Sequence, residues 1–304
     1  VQGKDFFSTY YQSPEFIVSA RDRCDETVDI IRCIRTKRFK YIRNFYAHLP
    51  HMQPNRYKSR KRIVKHMRYL YGMDKLNEVQ ARIYDYQRPP EELYDLKNDP
   101  YETHNLAKEA AYKDTLKVMR EKLYSWMSQS GDLGLIPEPE LEKLGLEEGN
   151  KYYVTDYSRQ ILPDVIRTIE YGEKNKIDEL LKAFDSPEPT VRYWAATKSR
   201  TYAIDNDLPP DLISKLKALA NDSSASVRIA AGRSLCLLNK DDIGLEILKK
   251  ELDNPNDIAE MYALWSVEKV RKRALPLLPL LDTMKTDYEF SNRLLARLKN
   301  LYNE

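Results

Sequence analysis

Cysteine is scarce: Cys24, Cys33 and Cys236 are the only three in 304 residues, at spacings that build neither a disulfide framework nor a metal site. A Cys24–Cys33 pair across a hairpin stays open beside the plainer alternative of free, buried thiols. Glycine is also sparse, with nine residues, which tilts the chain towards helix. No apolar run approaches the ~18–20 residues that a bilayer-spanning helix needs. The chain starts at Val1 with neither a methionine nor a charged-then-apolar leader, as expected of a processed or truncated chain. The missing leader therefore says nothing about compartment.

What is present is soluble and globular in composition, 32% charged and 42% hydrophobic, at a length that favours two domains. Tyrosine is abundant, with 22 residues, most in the first two thirds. Net charge is only +3 but unevenly placed: Arg35 to Arg68 holds twelve Lys and Arg and no Asp or Glu. Such a block attracts polyanions, either nucleic acid or sulfated glycan, or forms an ordinary solvated face.

Along the chain, residues 1–13 read as an extended lead-in and Phe16-Ile17-Val18 as strand. Two β-rich runs, Thr27–Ile34 and Arg38–Arg43, predict an antiparallel hairpin turning at Thr36-Lys37, one face buried and one wet. A loop with Pro50, Pro54 and two histidines follows, then helices at about 59–71 and 77–86. Glu91–Leu96 reads as a short strand and Asn98-Asp99-Pro100 as a turn, with capping-box spacing between Asp99 and Glu102. A helix over 105–129 carries Tyr112, Leu116, Met119, Leu123 and Trp126 as a stripe for the sheet, and Gly131 is placed to end it. Residues 131–160 form a linker, too apolar at Leu133, Leu135, Ile136, Leu141 and Leu144 to be a free tether.

After residue 160 a helix–turn–helix texture repeats. Leu180, Asp185, Val191, Arg192 and Ala195 recur 36 residues on as Leu216, Asn221, Val227, Arg228 and Ala231. A third copy keeps Asp253-Asn254-Pro255 and Ala263 but has Glu260 in place of arginine. A period of this length from paired helices is the mark of an α-solenoid. The turn followed by V-R-x-x-A-A resembles HEAT repeats, with the arginine expected to bond aspartates or carbonyls at the turn and helices at 275–285 and 287–302 as the cap.

Three further motifs occur in order: Arg21-Asp22-Arg23-Cys24-Asp25-Glu26-Thr27, then Lys40-Tyr41-Ile42-Arg43-Asn44-Phe45, then Glu92–Ala107, which reads E-L-Y-D-L-x-N-D-P-x-E-x-x-N-L-A. Over residues 1–130 the chain resembles the C-terminal portion of sulfatases of the alkaline-phosphatase-like superfamily, nearest the bacterial heparan N-sulfatase-like branch. The expected fold is α+β: a small antiparallel sheet with packed helices at 1–130, the linker at 131–160, and an all-α HEAT-like solenoid at 161–304. The resemblance also implies an exported enzyme, periplasmic or secreted, whose parent hydrolyses sulfate groups on a glycan, with calcium and formylglycine in a catalytic domain outside this chain.

The family nucleophile motif, C/S-x-P-x-R, does not occur here, so no catalytic or metal-binding residue is assigned and the chain alone is expected to be inactive. The resemblance sets Arg21, Asp22 and Arg23 near the substrate-pocket rim, where the Arg21 or Arg23 guanidinium would hold a sugar carboxylate or sulfate, and His51 of the Pro-rich loop is a weaker substrate-binding candidate. His48 and Gln53 are weaker candidates, and ion pairs that merely tie the sheet down are the competing reading. The alternative for the whole is a non-catalytic, protein-binding scaffold. Nucleic acid is disfavoured because no recognised binding motif accompanies the basic block.

Overall fold

The computed structural model describes residues 5–303 except 86, 148 and 205, and only the backbone at 151, 152 and 301–303. The lead-in is therefore described from Asp5 onward, where it is irregular. Four strands, β1 (Ile17–Cys24), β2 (Thr27–Arg35), β3 (Phe39–Asn44) and β4 (Glu91–Asp95), form one antiparallel sheet in sequence order. The second hairpin turns at Thr36, whose amide bonds the Phe39 carbonyl at 2.9 Å. β1 runs longer than Phe16-Ile17-Val18 suggested, and pairs with β2 through a turn in which Asp25 adopts φ 51°, a conformation aspartate tolerates.

From Ile30 to Arg35 the expected alternation holds, with Ile30, Arg32 and Ile34 inward and Arg35 exposed. Before that, Thr27 to Ile30 are all buried. Two causes act together. The β1–β2 register shifts between Arg21 and Arg23, as at a bulge, and the 47–55 loop covers this end of the sheet, with Thr27 Oγ1 donating to the Pro54 carbonyl and Gln53 Nε2 to the Val28 carbonyl.

Three short helices, α1 (Arg56–Ser59), α2 (Arg62–Gly72) and α3 (Glu78–Ala81), lie between β3 and β4. After β4 the chain does not enter a helix at 105. Asn105 Oδ1 accepts from the Leu93 amide and the Leu106 amide bonds the Leu93 carbonyl, so this stretch satisfies the open edge of β4 first. Asp99 caps the Thr103 and His104 amides, and Glu102 (φ 56°) pairs with Lys40 rather than closing a capping box. Helix α4 (Lys113–Ser130) then buries Leu116, Met119, Leu123 and Met127 and packs on β2 and β3. Gly131 ends it at φ 64°; a Cβ there would also sit 2.6 Å from the Thr155 carbonyl oxygen.

Residues 131–160 contain α5 (Glu138–Glu147) and the start of α6 (Lys151–Glu173), with Leu135 and Ile136 buried. Helices α7 (Ile177–Ala183), α8 (Pro189–Tyr202), α9 (Pro210–Ala218), α10 (Ala225–Leu237), α11 (Asp241–Glu251), α12 (Asp257–Val270), α13 (Leu278–Thr283) and α14 (Glu289–Asn303) complete the chain. Among them α10 packs between α8 and α12. The positions matched by sequence share their burial: Leu180, Leu216 and Leu248 are fully buried, as are Ala195, Ala231 and Ala263. Arg192 bonds the Ser186 and Pro187 carbonyls and reaches Asp222 of the next turn, and Arg228 repeats this with the Asp222 carbonyl and Glu251. Glu260, in the arginine's place, instead accepts from Thr286 Oγ1.

Candidate functional site

Antiparallel pairing sets Arg32 opposite Arg43, both on the inward face. Like charges across strands repel, so the pair needs counter-charges, most of which come from outside the sheet. Asp132, just after α4, grips Arg32 with two hydrogen bonds of 2.6 and 2.7 Å, and Asp22 adds a third contact at 2.6 Å. Glu173, at the end of α6, takes Arg43 at 2.5 Å and Lys198 of α8 at 2.6 Å, while Lys198 also donates to the Phe45 carbonyl. Burial pulls the Lys198 ammonium down to about 8, although Glu173 beside it works the other way. Burial would raise the Glu173 carboxyl, but Arg43 and Lys198 hold it below its usual range.

A second polar array lies where β1, the 47–55 loop and β4 meet. Asp29 and Arg88, both fully buried, form a two-contact ion pair. Arg21 approaches Asp29 at 3.6 Å from one side. On the other side Arg88 Nη1 lies 3.3 Å from His51 Nδ1. A guanidinium has no lone pair, so His51 Nδ1 accepts and the ring proton sits on Nε2, 3.2 Å from Glu92 Oε1. Glu92 also accepts from Tyr94 and Asn44, each at 2.6 Å. Burial opposes its ionisation, yet the bonds from His51, Tyr94 and Asn44 keep its carboxyl below the ordinary value. Arg21 and His51 remain 27% and 29% exposed above the dry Asp29–Arg88 pair, and the buried Arg21 Nε has no partner. Arg21 and Arg88 are balanced by Asp29 and Glu92, so this is a charge-compensated cluster in which only the partly exposed Arg21 guanidinium, loosely held by Asp29, is open to an outside anion.

Of the residues singled out by sequence, Arg21 and His51 are thus brought into one array through Asp29 and Arg88. Asp22 and Arg23 belong to a different set of contacts. Asp22 holds Arg32, whereas Arg23 bonds Glu138 of α5 at 2.6 Å and lies 4.8 Å from the Phe290 ring of α14. All three β1 residues sit within the strand rather than after it. Gln53 serves the backbone of Val28, and His48 is buried against Tyr46 with Nδ1 unpartnered. Sequence reasoning passed over Asp29, Arg88 and Glu92. Asp29 lies inside the β-rich run Thr27–Ile34 and Glu92 inside the third motif, so the available signal was a charged residue within an apolar strand, which implies a buried partner.

Cys24 faces Thr27 and Cys33 faces Ser19 in the strand register, so they do not meet, and all three thiols are free. Among the described residues no group of three or more His, Cys, Asp or Glu is placed to hold a metal ion. No described helix is long and apolar enough to cross a membrane. An apolar groove of about 470 Å³ runs between Leu133, Leu141, Leu146, Val154 and Ile258.

No protein-family model matches the chain. Two curated proteins of Formosa agariphila, each described as an ulvan-active sulfatase, do align. One is 37% identical over 142 residues, 46% of this chain and 24% of the relative. The other is 37% identical over 105 residues, 34% of this chain and 18% of the relative. Nearly half of the chain is therefore sulfatase-related, while it spans no more than about a quarter of the length of these relatives.

Proposed function

We propose that this chain is the C-terminal portion of a sulfatase whose full-length parent removes sulfate groups from a glycan, and that Arg21 and His51 form part of the rim of its substrate pocket. The observation carrying this is the pairing of sulfatase-related sequence with a partly exposed Arg21 guanidinium that Asp29 holds only loosely, at 3.6 Å. Asp22 and Arg23 serve the same rim by fixing it in place, one through Arg32 and the other through Glu138. The catalytic nucleophile, its formylglycine form and the calcium belong to a catalytic domain outside these residues, and the parent works in the periplasm or outside the cell. In this reading residues 1–130 are the sulfatase subdomain, 131–160 the connection and 161–304 a HEAT-like repeat that presents the catalytic domain or binds a protein.

A second reading, a non-catalytic scaffold, draws support from the apolar groove beside α5, which offers a hydrophobic seat for another protein. Kinetics of the parent enzyme on a sulfated glycan separate the two. Arg21→Ala should raise KM about tenfold, the loss of roughly one charge-assisted contact, and Arg23→Ala and His51→Ala, which remove positioning contacts to Glu138 and Arg88, should raise it by less. Unchanged kinetics in all three would remove the rim role.

A further inference from the structure

The basic block singled out in the sequence divides into two halves with different fates. In the strand half each side chain that reaches the fold finds an acid: Arg38 meets Asp95, Lys40 meets Glu102 and Arg43 meets Glu173. In the helical half, Arg56, Lys58, Arg60, Lys61, Arg62 and Lys65 pair with no carboxylate among the described residues. Folding thus pairs three cations of the first half, Arg35 and Lys37 at the hairpin end forming no ion pair among the described residues, and leaves six on α1, at the start of α2 and on the two residues between them.

These helices are also thinly covered. Neither α1 nor α2 contains a buried residue. Tyr57, Ile63 and Tyr69 are 63%, 70% and 62% exposed, and the Lys61 ammonium sits 4.5 Å from the centroid of the Tyr57 ring. Like charges this close cost free energy in the isolated fold and are relieved by a polyanion. Exposed phenol rings beside them supply flat, apolar faces that a purely ionic surface lacks.

We propose that α1 and α2 form a holding surface for a sulfated polysaccharide, separate from the Arg21–His51 edge. Charge complementarity selects a polymer bearing regularly spaced anions. Arg62 and Lys65 stand about 4.5 Å apart along the helix axis, close enough to engage one polymer together. The tyrosines stack on the C–H faces of sugar rings while the cations take sulfate oxygens. The choice of polysaccharide over other polyanions rests on the sulfatase reading; the existence of the cationic surface does not.

The test uses the 304-residue chain on immobilised ulvan, with neutral dextran, duplex DNA and phosphatidylserine vesicles as comparators, at low and at high salt. Wild type should bind ulvan in a salt-dependent manner and dextran not at all. Arg60→Glu/Lys61→Glu/Arg62→Glu should weaken ulvan binding at least tenfold, and Tyr57→Ala/Tyr69→Ala about threefold, with unchanged melting temperatures because all five side chains are superficial. Lys108→Glu/Lys113→Glu/Lys117→Glu, an equal charge change near and on α4, should stay within twofold of wild type. Equal losses in both triple variants, no loss in the first, or tighter binding to DNA or vesicles would overturn the proposal. If ulvan binding follows α1 and α2 while Arg21 and His51 variants leave parent kinetics unchanged, the rim reading fails and this surface stands.

Discussion

His48 shows how a single side chain ties folding to pH. Burial, followed by the charges of Arg233, Lys198, Arg88 and Arg200, drives its basicity well below that of a free histidine. The unfolded chain therefore takes up a proton below pH 6.5 that the folded chain refuses. The stability linked to His48 is complete above 6.5 and is lost as pH falls towards the depressed value, at up to about 1.4 kcal/mol per pH unit. Glu92, Glu173 and Glu268, all held below the usual carboxylate range, lose their contributions only in more acid solution. Urea titrations between pH 7 and 5.5 should thus show a decline that His48→Phe removes; an identical decline in the variant would assign it to another group. Nothing in the local sequence around His48 foretold this, because the four cations near it come from three distant places in the chain, Lys198 and Arg200 sharing α8.

Helix contacts decide which small residues matter. At the α10–α11 crossing, a Cβ on Gly244 would sit 2.6 Å from the Gly232 carbonyl oxygen and 2.5 Å from Cys236 Sγ. Gly145 in α5 has open space in the same direction. Gly244→Ala should accordingly cost about 1–3 kcal/mol from overpacking, despite alanine's better helix propensity. Gly145→Ala should gain about 0.5–1 kcal/mol. Thermal melts of the two variants check this, and equal effects would place the crossing elsewhere. The paired helices, their turns and the α4 stripe were legible because each repeats or alternates over many residues. The start of α4 was not, since the pull on residues 105–107 comes from the edge of β4, and the capping-box spacing of Asp99 and Glu102 served a turn instead.

At the scale of the molecule one hydrophobic cluster runs from Val28 in the sheet to Leu298 in α14. Polar ties cross the same boundary: Trp194 Nε1 donates to the Leu135 carbonyl, Tyr46 meets Tyr193, and Arg293 and Arg297 reach Glu26 at the β1–β2 turn. Removing a hub of this contact should be felt throughout. Glu173→Gln leaves Arg43 and Lys198 buried without their carboxylate and should cost about 3–5 kcal/mol, still in a single unfolding transition seen by both tryptophan fluorescence and far-UV circular dichroism. Two separated transitions would show that sheet and helices fold independently. The sequence by itself determined the hairpin, the helical periodicity, the repeat and the sulfatase likeness, because local spacing and motif order carry all four. Only the tertiary structure decided which charges are spent and which remain. The Arg32–Arg43 opposition is answered chiefly by Asp132 and Glu173 about a hundred residues or more away, Arg21 joins His51 only through Asp29 and Arg88, and the basic block is partly paired around β3 but unpaired from Arg56 to Lys65. Coulomb energy depends on distance in space and on dielectric, and neither is written in the spacing of residues along a chain.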